Sequence, residues 1–137
     1  MSKGYRSNHG PTEQQIQLAV CRHLLWRGVP GLVWFHPPMG GYRTPTEAKI
    51  MKGLGVKAGV ADLILLHNGE AFALELKTEK GRASDAQLKF ATAWQLAGGS
   101  SYIANGLDEA LAVLKTWGLL KGENDAWHAP AGELATV

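Results

Sequence analysis

The chain has 137 residues, of which 45% are hydrophobic and 19% charged, with a formal net charge of +2. Those proportions suit a folded domain of ordinary size and exclude a disordered chain, and so small a basic excess permits nucleic-acid binding without pointing to it. The single cysteine, Cys21, excludes an intrachain disulfide framework and a cysteine-built metal centre, and no apolar run approaches the ~20 residues of a membrane span.

The start, MSKGYRSNHG, is polar and lacks the apolar segment of a signal peptide, so a reducing, intracellular (cytoplasmic) setting without a membrane partner is expected. Residues 1–11 read as a flexible leader, 12–117 as the folded unit and 118–137 as a tail with no clear signal. Thr12 and Gln15 form a capping-box pattern that starts a helix, Ile16, Val20 and Leu24 recur at helical spacing along it, and Gly28 stops it. Cys21 falls within this pattern as a core thiol. GLVWFH, residues 31–36, is a short strand ended by Pro37-Pro38. Residues 37–60 are rich in glycine and proline and hold one short helix, started by Thr44, Pro45 and Glu47 and stopped by Gly53.

Two strands follow, joined at Asn68-Gly69, a pair suited to a turn that needs positive φ at both positions. Ser84 and Gln87 start the next helix, which Gly98-Gly99 ends. SSYIAN, residues 100–105, is a strand, and Asp108 to Trp117 a final helix. The order α-β-(α)-β-β-α-β-α implies a mixed β-sheet flanked by helices on both faces.

The hairpin also carries the chemistry. With Asn68 and Gly69 as the loop, His67 faces Glu70, Ile64 faces Ala73, and Asp62 faces Glu75. Lys77, two residues on, shares that face. Both faces of the pair are otherwise apolar, which makes it a buried central pair with three charges at one end. Two opposed carboxylates raise each other's pKa unless a cation lies between them. Mg²⁺ binds through one or two carboxylates, keeps several waters and favours phosphate as a co-ligand. A lysine alongside can stabilise charge developing on a phosphoryl group. The three charges can equally form a self-neutralising structural triad, and a longer loop would slip the register and scatter them.

At these residues the chain resembles the PD-(D/E)XK nuclease superfamily, and more narrowly the virus-type replication–repair nuclease (VRR-NUC) domain. The matching text is EQQIQ in the first helix, GVKAGVADLILL and ALELKTEKGRASDAQ, and the resemblance runs over about residues 12–115. It implies an α/β fold with the PD-(D/E)XK, restriction-endonuclease-like core. It further implies that Asp62 and Glu75 ligate Mg²⁺ or Mn²⁺, with the Leu76 carbonyl and Glu13 as additional ligands. By the same resemblance Lys77 orients the attacking water and stabilises the phosphate, while Gln87 faces the scissile phosphate or buttresses Lys77. Bland roles stand beside two of these: Glu13 as a first-turn acid favoured by the helix dipole, Gln87 as the capping partner of Ser84. The proline of the family signature is Ala61 here.

Arg43, Lys49, Lys52 and Lys57 precede Asp62 in a glycine-rich segment that suits contact with a phosphate backbone, and Lys80 and Arg82 would continue that surface. His36 reads as structural or substrate-facing. The resemblance implies a metal-dependent, structure-selective DNA endonuclease, a homodimer acting on branched DNA such as Holliday junctions, with Trp117, Trp127 or Tyr102 supplying exposed aromatics for the dimer. A nicking or restriction-type nuclease acting on duplex DNA, and a non-catalytic DNA-binding module, are the rivals.

Overall fold

The computed structural model describes residues 10–38 and 43–122. Helix α1 is Glu13–Arg27, and its capping box is closed in both directions: Thr12 Oγ1 accepts from the Gln15 N–H, and the Gln15 side chain accepts from the Thr12 N–H. Ile16, Val20 and Leu24 form its buried stripe. Strand β1 is Val33–Phe35, shorter than expected at both ends because Gly31 turns the chain at positive φ and His36 aims its ring at the Asp62 carbonyl. Helix α2, Pro45–Gly53, has a closed capping box at Thr44 and Glu47 and buries no residue. Strands β2, Leu63–His67, and β3, Glu70–Lys77, form the hairpin, with φ of 51° at Asn68 and 79° at Gly69. Helix α3 is Asp85–Leu96, strand β4 Ser100–Asn105 and helix α4 Leu107–Thr116.

The four strands form one sheet in the order β1-β2-β3-β4. The β1–β2 and β2–β3 pairs are antiparallel, and β3–β4 is parallel. The sheet is therefore mixed, as expected, with α3 as the crossover. Strand alternation sends Leu63, Leu65, Phe72, Leu74 and Leu76 to one face, where they meet Ile16, Val20 and Leu24 of α1 and Ala110 and Leu114 of α4. On the other face Ala61, Ile64 and Ala73 lie beneath Phe90 and Trp94 of α3. The first core is the deeper: Leu63, Leu65, Leu74 and Leu76 are fully buried, at about 1.5–3 kcal/mol for each leucine removed from water. The second face is covered only in part, since Val33, Phe35 and Leu66 stay exposed on it. The expectation of a pair buried on both faces therefore holds only at the α3 end.

The core extends past residue 117. Leu119 and Leu120 are buried, the Val29 N–H donates to the Leu119 carbonyl, and the Lys121 N–H donates to that of Arg27. The buried Arg27 in turn donates from Nε to the Lys121 carbonyl and contacts His23 Nδ1 through Nη1. So short a segment has no periodicity to read, which is why it carried no signal. Trp117 packs on Phe72 with ring centroids 4.9 Å apart, and so is not a free aromatic. Tyr102 is exposed, with its hydroxyl directed to Glu109. Trp127, the leader over residues 1–9 and the tail from residue 123 lie outside the described residues. Among the described residues no helix is long and apolar enough to cross a membrane.

Candidate active site

The observed β2–β3 register is the one that the Asn68-Gly69 turn dictates, from His67 opposite Glu70 to Leu63 opposite Leu74. Asp62 stands one residue before the ladder, at the next position of that register, and bends so that its Oδ2 accepts the Leu76 N–H at 2.8 Å. Glu75 and Lys77 are both buried, at 5% and 8% exposure, near the end of β3. Lys77 Nζ lies 3.5 Å from Glu75 Oε2 and 3.7 Å from Glu13 Oε2, so the first helix does reach the site, through the lysine. Glu13 keeps about half of its side chain exposed.

Gln87 fills two roles at once. Its Oε1 accepts the Ser84 N–H in the capping box, and its Nε2 donates to Glu75 Oε2 at 2.8 Å. Its amide thus holds Glu75 directly. Glu75 Oε2 is engaged by two donors, whereas Oε1 is buried with no hydrogen-bond partner among the described residues. Burial pushes the Glu75 carboxyl up to about 7, the Asp62 charge and more weakly that of Glu13 add to the rise, and Lys77 opposes it. By contrast, burial raises the Cys21 thiol, which stays a quiet residue against the main core.

These donors fit a divalent cation of the hard, oxygen-seeking kind. An unpartnered buried carboxylate oxygen, next to a second carboxylate, is what such an ion satisfies. Among the described residues no three metal-ligating side chains converge as a cage. An ion held by Asp62 and Glu75 must then complete its shell with water, backbone or phosphate oxygens, as Mg²⁺ commonly does. Leu76 is well placed for the backbone part, being the residue between Glu75 and Lys77 whose N–H fixes Asp62.

No family model and no curated protein matches the chain. A solved structure described as a VRR_NUC domain protein superposes with a TM-score of 0.67 at 24% identity, over 82% of this chain and 93% of that one. The chain folds as a VRR_NUC domain. At this identity the likeness speaks for the fold, and the VRR_NUC fold is the mixed α/β core that the residues implied.

Around this candidate site of the VRR_NUC-like fold the basic residues divide into two groups. Lys49, Lys52 and Lys57 are exposed on and after α2, with Arg43 half-buried at its start, while Lys80 and Arg82 are exposed on the loop that leaves Lys77. That loop is fixed by a residue the sequence did not single out. Asn105, opposite Lys77 in the parallel ladder, donates from Nδ2 to the carbonyls of Thr78 and Gly81 at 2.8 Å each, and the Gly106 N–H donates to the Lys77 carbonyl. Only the β3–β4 register could have shown this. His36, left open between structural and substrate-facing, has Nδ1 2.6 Å from the Asp62 carbonyl and so steadies the backbone of a candidate ligand. Ala61, which replaces the signature proline, is buried beneath α3.

A second constraint comes from Gly59. Its φ is +80°, and a Cβ there would come within 2.2 Å of the Ala86 carbonyl oxygen and 2.8 Å of the Gln87 nitrogen. The loop that brings Asp62 and the helix that brings Gln87 thus meet backbone to backbone, at a position only glycine can fill.

Proposed function

We propose that the chain is a Mg²⁺- or Mn²⁺-dependent DNA endonuclease of the VRR-NUC kind, acting as a homodimer on branched DNA such as Holliday junctions. The observation that carries the reading is the buried Glu75 carboxylate, with one oxygen unpartnered, beside Asp62 and in contact with Lys77. A purely structural triad would leave no buried carboxylate oxygen orphaned, because leaving one costs about 1–3 kcal/mol or more for a charged group.

Asp62 and Glu75 would hold the divalent ion, with the Leu76 carbonyl as a further donor and Glu13 reaching it through water; such an ion supplies positive charge to the phosphoryl oxygens and a more acidic water. The residues of the chain do the rest. Asp62 is fixed by the Leu76 N–H, and Glu75 by Gln87, so the two carboxylates present a preset geometry. A carboxyl that titrates near 7 gives up its proton to a cation at little cost at neutral pH. Lys77, whose ammonium contacts Glu75 and Glu13, would orient an attacking water and stabilise charge growing on the phosphate. Arg43, Lys49, Lys52, Lys57, Lys80 and Arg82 supply phosphate-backbone contacts, which position DNA without reading its sequence.

The test is a panel of four-way junction, flap, nicked and plain duplex DNA, with Mg²⁺ or Mn²⁺, for wild type and Lys77→Ala. Wild type is expected to cut the branched substrates, and Lys77→Ala to bind them without cutting. Absence of metal-dependent cleavage of any DNA would sink the nuclease reading in favour of a binding module. Equal cutting of plain duplex would sink the branched-DNA part, and a monomer in sedimentation under cutting conditions the homodimer.

A further inference from the structure

A cavity of about 510 Å³ opens between the C-terminal end of α2 and the chain leading to Asp62. Its shape is set by how α2 ends. The Val56 N–H donates to the Met51 carbonyl and the Gly55 N–H to that of Lys52, with Gly55 at a φ of +96°, the closure in which the helix C-terminus folds back through a left-handed residue. That closure brings Met51 and Val56 together as the apolar floor, with Ala48 and Ala58 beside them. Arg43, Lys52 and Lys57 line the same cavity, and among the described residues no carboxylate does. Gly59 also borders a small crevice of about 10 Å³ beneath α3, whose lining includes Glu75 and Gln87.

We propose that this cavity takes one unpaired nucleotide of the DNA substrate, its base against Met51, Val56 and Ala48 and its phosphate on Arg43, Lys52 and Lys57. The inference rests on the DNA-cleaving reading and deepens it. Phosphate contact alone needs only exposed cations, as Lys80 and Arg82 already provide; apolar walls behind the cations have no use for a phosphate. A ligand that is flat and apolar on one side and anionic on the other matches both parts. The volume lies within the 300–1,000 Å³ range of small-ligand pockets. Met51 supplies a soft, adaptable surface, and Arg43 a planar guanidinium that can lie against a ring. Among the described residues none of the lining side chains is an uncharged hydrogen-bonding group, so these residues would accept any base. A base inside a duplex shows no free face, so only a nucleotide unstacked at a branch or in a single strand can enter, and unstacking is cheapest there. A branch would then be selected because it delivers such a nucleotide next to the reacting phosphate.

The experiment measures binding without metal, which separates it from cleavage. A short single strand and a flap DNA, each with the fluorescent base 2-aminopurine at the unpaired position, are titrated with wild type, Ala48→Leu and Ala48→Ser. Ala48 is exposed on α2, so leucine fills the cavity without changing charge or burying a new group, and serine leaves it open. Wild type and Ala48→Ser are expected to bind the strand and to raise the fluorescence of the unstacked base. Ala48→Leu is expected to bind about tenfold more weakly with no such rise, and to bind plain duplex as wild type does. Equal binding by all three proteins, or no fluorescence change with wild type, would overturn the pocket. If the pocket signal appears but no DNA is cut with either metal, the nuclease reading fails and the nucleotide site stands.

Discussion

A carboxyl held near pH 7 inside the sheet keeps a proton in the folded chain that it loses in the unfolded chain at about 4.5. Between those values the folded state binds more protons, so stability falls as pH rises. The contribution is fully present below 4.5 and is lost on passing through 7, and at 1.36 kcal/mol per unit its size is about 3 kcal/mol. Metal-free wild type should therefore unfold more easily in denaturant at pH 8 than at pH 5.5, measured against Glu75→Gln, which cannot titrate and should show the smaller change. A divalent ion competes with that proton, so added Mg²⁺ should stabilise wild type more at pH 8 than at pH 5.5 and leave Glu75→Gln nearly unaffected. A wild type that lost no more stability than Glu75→Gln over this range in chelator would show that Glu75 titrates at its ordinary value.

At the level of elements, local chemistry was legible and distant pairing was not. The turn at Asn68-Gly69 demands positive φ twice, and that alone fixed the register that puts Asp62 next to Glu75. Capping boxes at Thr12, Thr44 and Ser84 begin their helices within a residue or so of the expected place, because each cap is completed by a partner three residues on. The parallel β3–β4 pairing is set by the packing of α3 across the sheet, so Asn105 opposite Lys77 left no trace in local sequence. The contact of the Asp62 loop with α3 belongs to this second kind. A Gly59→Ala substitution adds a methyl that overlaps the Ala86 carbonyl and must push the start of α3, and Gln87 with it, off Glu75. Gly55→Ala is the matched control: its φ is also positive, but nothing lies within 4 Å of the added Cβ. Gly55→Ala should cost roughly 1 kcal/mol in unfolding free energy, from backbone strain alone. Gly59→Ala should cost roughly 3 kcal/mol and lower the cleavage rate on the order of a hundredfold, since displacing a positioning group by about 1 Å has that effect. Equal stability and equal activity of the two variants would mean that the loop and α3 do not hold each other.

On the scale of the whole molecule, the formal charge of +2 is too small to draw DNA in by itself, so binding must depend on where the cations stand. The sequence placed Arg43, Lys49, Lys52 and Lys57 ahead of Asp62, and the fold sets Arg43, Lys52 and Lys57 around a cavity that shares Gly59 with the small crevice whose lining includes Glu75. What stayed hidden was the end of the core, because Leu119 and Leu120 are held by the backbone of residues 27–29 rather than by any pattern of their own. Lys115 lies exposed in the last turn of α4, on the helix layer packed against α1 across the sheet from α3. Lys52→Ala and Lys115→Ala therefore change the net charge equally and the proposed DNA surface unequally. Each phosphate neutralised by a lysine contributes about 0.9 to the slope of log K against log salt for duplex DNA. Across a salt series, Lys52→Ala should weaken duplex binding and make that slope shallower by about 0.9, whereas Lys115→Ala should leave both near wild type. A loss shared equally by the two variants would mean that DNA responds to overall charge, and the basic segment before Asp62 would lose its role as the docking surface.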